Sequence, residues 1–204
     1  MPKAKDIDMR KKEVLLQAAT YLFSRKGYKD TAMGELSKMT GVAEGTIFYH
    51  FKSKQGIFLA ILENLKDGIL PEFERYRNEG TEKNGLDMVE ESLSFYLYMA
   101  SNHEDLFAIL HQRYPYELAE SSPECREILE DIYNCFVGIF ENAIRTGQLD
   151  GSIAPDIVSN KSALIVFSMA DSMVRFRMNN LYDVRSLYKE LVDSCRRMLE
   201  KRTQ

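Results

Sequence analysis

Residues 31–58 read TAMGELSKMTGVAEGTIFYHFKSKQGIF, from Thr31 to Phe58. Met33, Leu36 and Met39 recur at helical spacing, with Thr31 or Asp30 placed to cap the first turn. Gly41 ends that helix, because a residue without Cβ takes positive φ unstrained. A second short helix is predicted from about Ala43 to Phe51, held on the first by Val42, Ile47 and Phe51. Two short helices across a glycine-containing turn make the helix-turn-helix pattern. The second helix presents Glu44, Gly45, Thr46, Phe48, Tyr49 and His50 outward, where a solvated helix would carry Lys and Glu. Small, hydroxyl-bearing and aromatic groups of this kind suit a DNA major groove, touching base edges and thymine methyls and donating to phosphates. Lys52 and Lys54 follow, and Ser53 caps a third helix whose N-terminus, with Lys54, forms a phosphate site.

Gly41, Val42, Gly45, Thr46, Ile47, Phe48, Tyr49, His50, Phe51, Lys52 and Lys54 stand in the order and spacing of one family. Over about residues 10–60 the chain resembles the DNA-binding domain of the TetR family of transcriptional regulators. Beyond that, the likeness is in length and helical character alone. The resemblance implies an all-α protein with a three-helix helix-turn-helix DNA-binding domain over 1–54. An effector-binding and dimerisation helical bundle would follow over 55–204. It assigns Gly45 to close approach of the backbone to the groove floor and Phe48 to bases or thymine methyls. Thr46, Tyr49 and His50 go to phosphates or bases, Lys54 to a phosphate, and Lys52 and Glu44 to the same surface. Thr31 is a second phosphate candidate as well as a cap. Two departures stand out. Ala43 occupies a position where members often carry Ser, and Gly56 sits where a capping box after Ser53 calls for Glu.

Composition agrees with a protein that meets nucleic acid at one end. The 204 residues carry a net charge of −4, unpromising for a DNA binder. Residues 1–60, however, hold 11 Lys/Arg against 6 Asp/Glu, and residues 61–204 hold 16 against 25. At 45% hydrophobic and 28% charged, the chain can bury a real core. MPKAKDIDMRKK is no signal peptide, and apolar runs such as Ala163 to Phe167 fall far short of the ~20 residues that span a bilayer. A cytoplasmic protein is expected. Cys125, Cys135 and Cys195 are few, odd in number and widely spaced, as reduced thiols are.

Along the chain, residues 1–9 read as a polar arm that is disordered or else tracks DNA phosphates through Lys3 and Lys5, disorder being the favoured reading. A helix begins at Arg10, with Leu15, Ala18, Ala19, Leu22 and Phe23 as its stripe, and Gly27 ends it. Gln55 to about Arg77 is a longer helix with a kink or break near Gly68–Pro71. Residues 78–85 form a polar loop. Leu86 to about Ser101 is helical, and Asn102 caps a short helix from His103 to about Gln112. Arg113 to Tyr116 is a break. Ser122-Pro123 opens a helix that Gly147 closes, and Pro155 opens another to about Asn179. That helix is apolar nearly all round, and the last, from Asp183, carries near-heptad apolar residues from Val184 to Leu199. Two adjacent apolar helices, about 155–179 and 183–201, read as a homodimer interface built as a four-helix bundle with a second copy.

Nothing catalytic is visible: there is no nucleophile elbow, phosphate-binding loop, dinucleotide fingerprint or zinc spacing, and no cofactor is expected. His103 and His111 are eight apart, which misses the spacing of a helical metal pair. Asp171 and Arg175 form an i,i+4 pair. The resemblance implies an effector pocket in the helical body. Its candidate walls are Tyr96, Phe107, His111, Tyr114, Phe136, Phe140, Phe167 and Met173, which suit a small, mostly apolar compound. The expected function is a repressor released from a palindromic operator by that effector. The alternatives are an enzyme, or a plain small-molecule binder, that kept a silent DNA-binding head.

Overall fold

The computed structural model describes residues 4–77 and 83–200. Among them every regular element is helical: α1 (Ala4–Lys26), α2 (Met33–Thr40), α3 (Glu44–Phe51), α4 (Lys54–Tyr76), α5 (Gly85–Asn102), α6 (Glu104–Leu110), α7 (Tyr114–Ser121), α8 (Pro123–Asp150), α9 (Ser159–Met178), a 3₁₀ turn (Val184–Leu187) and α10 (Tyr188–Leu199). The chain forms two compact units, residues 1–67 with 103–130, and residues 68–102 with 131–204. They are not sequential blocks. Residues 55–67 and 103–130 join the helix-turn-helix residues in the first unit.

The first unit grows from the apolar stripe of α1. Leu15, Ala19 and Phe23 pack with Leu36, Ile47, Phe51, Ile57 and Phe58, all essentially closed to solvent. Helix α6 adds Phe107 and Leu110. The end of α1 is closed by Gln112, whose amide donates to the carbonyls of Phe23 (3.1 Å), which also accepts from the Gly27 N–H, and Ser24 (3.2 Å). Ser24 donates to Asp105, and Lys29 pairs with Glu117. Residues 103–121 thus brace the helix-turn-helix from beneath.

In the second unit, Tyr96, Phe136, Phe140 and Phe167 form one aromatic cluster, with ring centroids 4.9 Å (Tyr96–Phe136), 5.1 Å (Tyr96–Phe167) and 6.4 Å (Phe140–Phe167) apart. The Tyr96 hydroxyl donates to Asp171 at 2.6 Å, so the polar end of this buried ring has a partner. Helix α5 begins against α8 at a glycine pair. A Cβ on Gly85 would lie 2.0 Å from the Gly147 nitrogen, and one on Gly147 would lie 2.5 Å from the Ile153 side chain. Arg196 of α10 donates to both Asp87 and Glu90 of α5.

Several expectations are corrected. Helix α1 starts at Ala4, six residues before Arg10, so part of the expected polar arm is helical. Lys3 lies outside the described residues, as do 78–82 of the expected polar loop. Helix α4 runs through Pro71 without ending, anchored on both sides of it by buried Ile69 and Phe73. Asn102 is the last residue of α5, and His103 holds the cap position of α6. The expected break at Arg113–Tyr116 is instead the start of α7, with Pro115 in a first turn that needs no N–H from it. Gly147 lies inside α8, which closes at Gly151 with φ +83°. Helix α9 opens at Ser159, four residues after Pro155. A 3₁₀ turn precedes α10, with Asp183 accepting from the Arg185 N–H.

Candidate nucleic-acid interface

Leu36 is the buried anchor of α2, and Gly41 ends the helix at φ +70°. Met39, expected on the apolar face, is 53% exposed, because in an eight-residue helix one buried turn suffices. Thr31 neither caps α2 nor faces solvent. It is 5% exposed, and its hydroxyl donates to the Gly27 carbonyl at 2.9 Å, leaving no proton for a phosphate. The cap position belongs to Ala32, whose N–H is met by the Glu35 carboxylate at 3.3 Å. The Lys26 ammonium, then that N–H, hold the Glu35 carboxyl below the usual range.

Helix α3 is fixed by Ile47 and Phe51 from within. On its outer side Tyr49 is 73% exposed and Phe48 is 41% exposed. Exposed rings normally cost solubility, and here they lie on the face that the sequence assigns to the groove. Thr46 and His50 are half-buried at its edges, and Glu44 and Gly45 are exposed at its start. A Cβ at Gly45 would meet nothing within 4 Å, so the fold itself does not require glycine there. The Glu44 carboxylate lies over Gly34 of α2. No side chain caps α3, as Ala43 foretells.

The exit from α3 explains two sequence oddities at once. Lys52 takes φ +64°, turning the chain sharply. That turn drives the Phe51 carbonyl against α4, where a Cβ on Gly56 would approach it to 2.0 Å. Glycine therefore replaces the capping-box Glu, and Ser53 still caps, its hydroxyl accepting from the Gly56 N–H at 3.0 Å. Lys52 donates to the Tyr49 carbonyl at 2.9 Å, with its ammonium 5.3 Å from the Tyr49 ring. It thereby carries positive charge along the exposed ring.

Lys54 differs from expectation. Its ammonium donates to the carbonyls of Lys29 (3.2 Å) and Thr31 (2.5 Å) and lies 4.5 Å from the Tyr28 ring. Burial pushes it below the ordinary lysine range, against an opposing pull from Asp30. It ties α4 to the loop before α2 and is not extended toward a phosphate. Tyr28, which the sequence reading passed over, stacks on Tyr114 at 3.8 Å and completes this tie. The only trace of it in sequence is a tyrosine directly after a helix-ending glycine.

Of the candidate effector-pocket residues, Phe107, His111 and Tyr114 belong to the first unit, and Tyr96, Phe136, Phe140, Phe167 and Met173 to the second. Tyr96, Phe136, Phe140 and Phe167 fill their space with one another, and Met173 borders two surface cavities.

The family description "Bacterial regulatory proteins, tetR family" matches residues 15–61. The HTH-type transcriptional repressor BepR of Brucella suis is 27% identical over 68% of this chain and 68% of its own length. The fatty acid metabolism regulator protein of Bacillus subtilis is 25% identical over 88% of this chain and 90% of its own. Residues 15–61 of the chain thus belong to the TetR family of bacterial regulatory proteins. The whole chain also shares its fold with a putative transcriptional regulator from Saccharomonospora viridis solved in complex with choline, at TM-score 0.79 and 21% identity, covering 95% of this chain and 100% of that one. No helix among the described residues of this regulator is long and apolar enough to cross a membrane.

Proposed function

We propose that this regulator is a homodimeric repressor that grips a palindromic operator through α3 and releases it when a small, mostly apolar effector binds. The observation that carries the DNA-binding half is the open face of α3: Phe48 and Tyr49 exposed beside Lys52, over a helix whose opposite side is sealed by Ile47 and Phe51. Thr46 and His50 edge that face, and Gly45 leaves room for a groove wall. Thr31 and Lys54 act behind the face, holding the loop before α2, and not as phosphate ligands. We keep the boundary between DNA-binding and regulatory parts at 54/55, although packing joins 103–130 to the first part.

Dimerisation is supported by α9 and α10. Leu164 (54% exposed) and Ile165 (51%) lie on a helix that the sequence makes apolar nearly all round. With Leu187 and Leu191 they border an apolar groove of about 690 Å³. A second copy of the same two helices is the occupant that makes this face sensible, since it builds a four-helix bundle and doubles the DNA contacts. The relatives support the regulatory half: one is named a repressor and another a fatty acid metabolism regulator, and the Saccharomonospora protein holds choline. An effector entering among Tyr96, Phe136, Phe140 and Phe167 has to part rings now in contact.

Selection from a random labelled duplex pool tests the reading. Enrichment of an inverted repeat with half-sites about one helical turn, ~34–36 Å, apart is expected. Recovery of no common sequence would overturn it, and would favour a small-molecule binder with a silent head, for which the exposed Glu44 at the start of α3 would then be the reason.

A further inference from the structure

A second cavity in the 68–102 and 131–204 unit points to the chemistry of the effector. It lies between α5, α9 and the 3₁₀ turn, has a volume of about 420 Å³, and is separate from the aromatic cluster. Its walls are apolar: Leu97 and Tyr98 of α5, Met173 and Val174 of α9, and Val184 of the turn. Ten residues line it, of which two are arginines, Arg177 and Arg185, and none is acidic. A cavity of this size is within the range that holds a small ligand. Its charge is one-sided, which an ordinary packing defect has no reason to be.

The two arginines are held differently. Arg177 is fixed: its guanidinium donates to the Ala100 carbonyl (3.1 Å) and to Ser101 Oγ (3.2 Å), at the end of α5. Arg185 is exposed on the 3₁₀ turn, and the hydrogen bond that orders it is made by its backbone N–H to Asp183, leaving the guanidinium free to turn toward a ligand. At the far side, Ser94 and the Tyr188 hydroxyl close on each other at 2.6 Å and satisfy their own polar atoms. The charged groups of the lining therefore lie at the arginine mouth. Guanidinium is the group best matched to a carboxylate or phosphate.

We propose that this cavity binds an amphipathic anion, with its apolar part between Leu97, Met173 and Val184 and its acid group at Arg185 and Arg177, and that this anion is the effector. The proposal rests on the reading of the chain as an effector-released regulator and narrows the effector from a merely apolar compound to an acid with an apolar body. Helix α9 supplies both this cavity (Met173, Val174, Arg177) and the groove given to the second copy (Leu164, Ile165). Filling the one bears directly on the helix that makes the other.

The test uses the full-length protein and three probes of one chain length: decanoate, decanol and decyltrimethylammonium. Calorimetric titration is expected to show saturable binding of decanoate, with the neutral and cationic probes weaker. Arg185→Gln should weaken decanoate about fivefold, as loss of a partly exposed charge pair does, and leave decanol unchanged. Arg185→Lys should restore part of the loss. In a separate polarisation assay on the selected operator, decanoate should lower binding by the parent and do so less for Arg185→Gln. Equal binding of decanoate and decanol, or decanoate binding indifferent to Arg185→Gln, overturns the site. Arg185-dependent binding that leaves the operator complex intact overturns its role as effector. Operator binding without any additive is read first, so failure of the DNA-binding reading is seen on its own.

Discussion

At the scale of single residues, neighbours on α3 have opposite duties, and substitution should separate them. Ile47 has no exposed surface, so Ile47→Ala should cost about 2–5 kcal/mol of stability, read from the urea midpoint. Tyr49, two positions on, faces solvent. Tyr49→Ala should leave the midpoint within about 0.5 kcal/mol and weaken operator binding about tenfold, for roughly 1–3 kcal/mol is what a good base-edge contact contributes. Equal operator affinity for Tyr49→Ala and the parent would remove the face from the account. Gly45 gives a sharper sign. Glycine in a helix is about 0.8–1 kcal/mol worse than alanine, and a Cβ there meets nothing in the protein. Gly45→Ala should therefore raise stability and lower operator affinity together, which happens only where the open space is needed by something outside the chain.

At the scale of helices, glycine has another use, and here the sequence misled. A glycine near the end of an apolar run reads as a stop, and Gly147 is such a glycine. In the molecule α8 continues to Asp150, and Gly147 is small because Gly85 of α5 and Ile153 press against it. No local pattern records that contact, since its partners are distant in sequence. Pro71 and Pro115 mislead for a related reason. A proline forfeits one N–H, and buried neighbours hold α4 together regardless, while α7 places its proline where no N–H is needed. What was legible were the signals that are local: Gly41 as a stop, Ser53 as a cap, and the alternation of Ile47 and Phe51 with Phe48 and Tyr49. Hidden from the sequence were the inward turn of Thr31 and Lys54, because both depend on where the loop of residues 27–31 comes to lie. The glycine pair gives the element-scale prediction. Gly85→Ala would set a Cβ 2.0 Å from backbone that cannot swing aside, and should cost about 1–3 kcal/mol or more. Gly138→Ala, in the same bundle with nothing within 4 Å, should be neutral or stabilising. Denaturant melts of the two variants check the contrast.

At the scale of the whole molecule, charge and pairing are tied together. Residues 1–60 carry 11 Lys/Arg against 6 Asp/Glu, a modest excess for holding a polyanion against physiological salt. Each phosphate neutralised releases condensed counterions, so the logarithm of affinity falls with the logarithm of salt in proportion to the number of phosphates contacted. One copy has few such contacts, and two copies on one operator have twice as many. Placing a charge on the apolar face of α9 tests whether the second copy is there. Ile165 is half exposed in the single chain, so Ile165→Glu has little to unpack within a protomer and should leave its helical signal unchanged. In a dimer the same carboxylate would be buried opposite its symmetry mate, where two like charges out of water cannot both stay ionised. Sedimentation should then show the parent at twice the 23.6 kDa chain mass and Ile165→Glu at the chain mass. The slope of operator affinity against salt should fall to about half for the variant. A parent that sediments as a single chain, or a variant that keeps the full slope, would mean that α9 and α10 do not bring two α3 helices to one DNA.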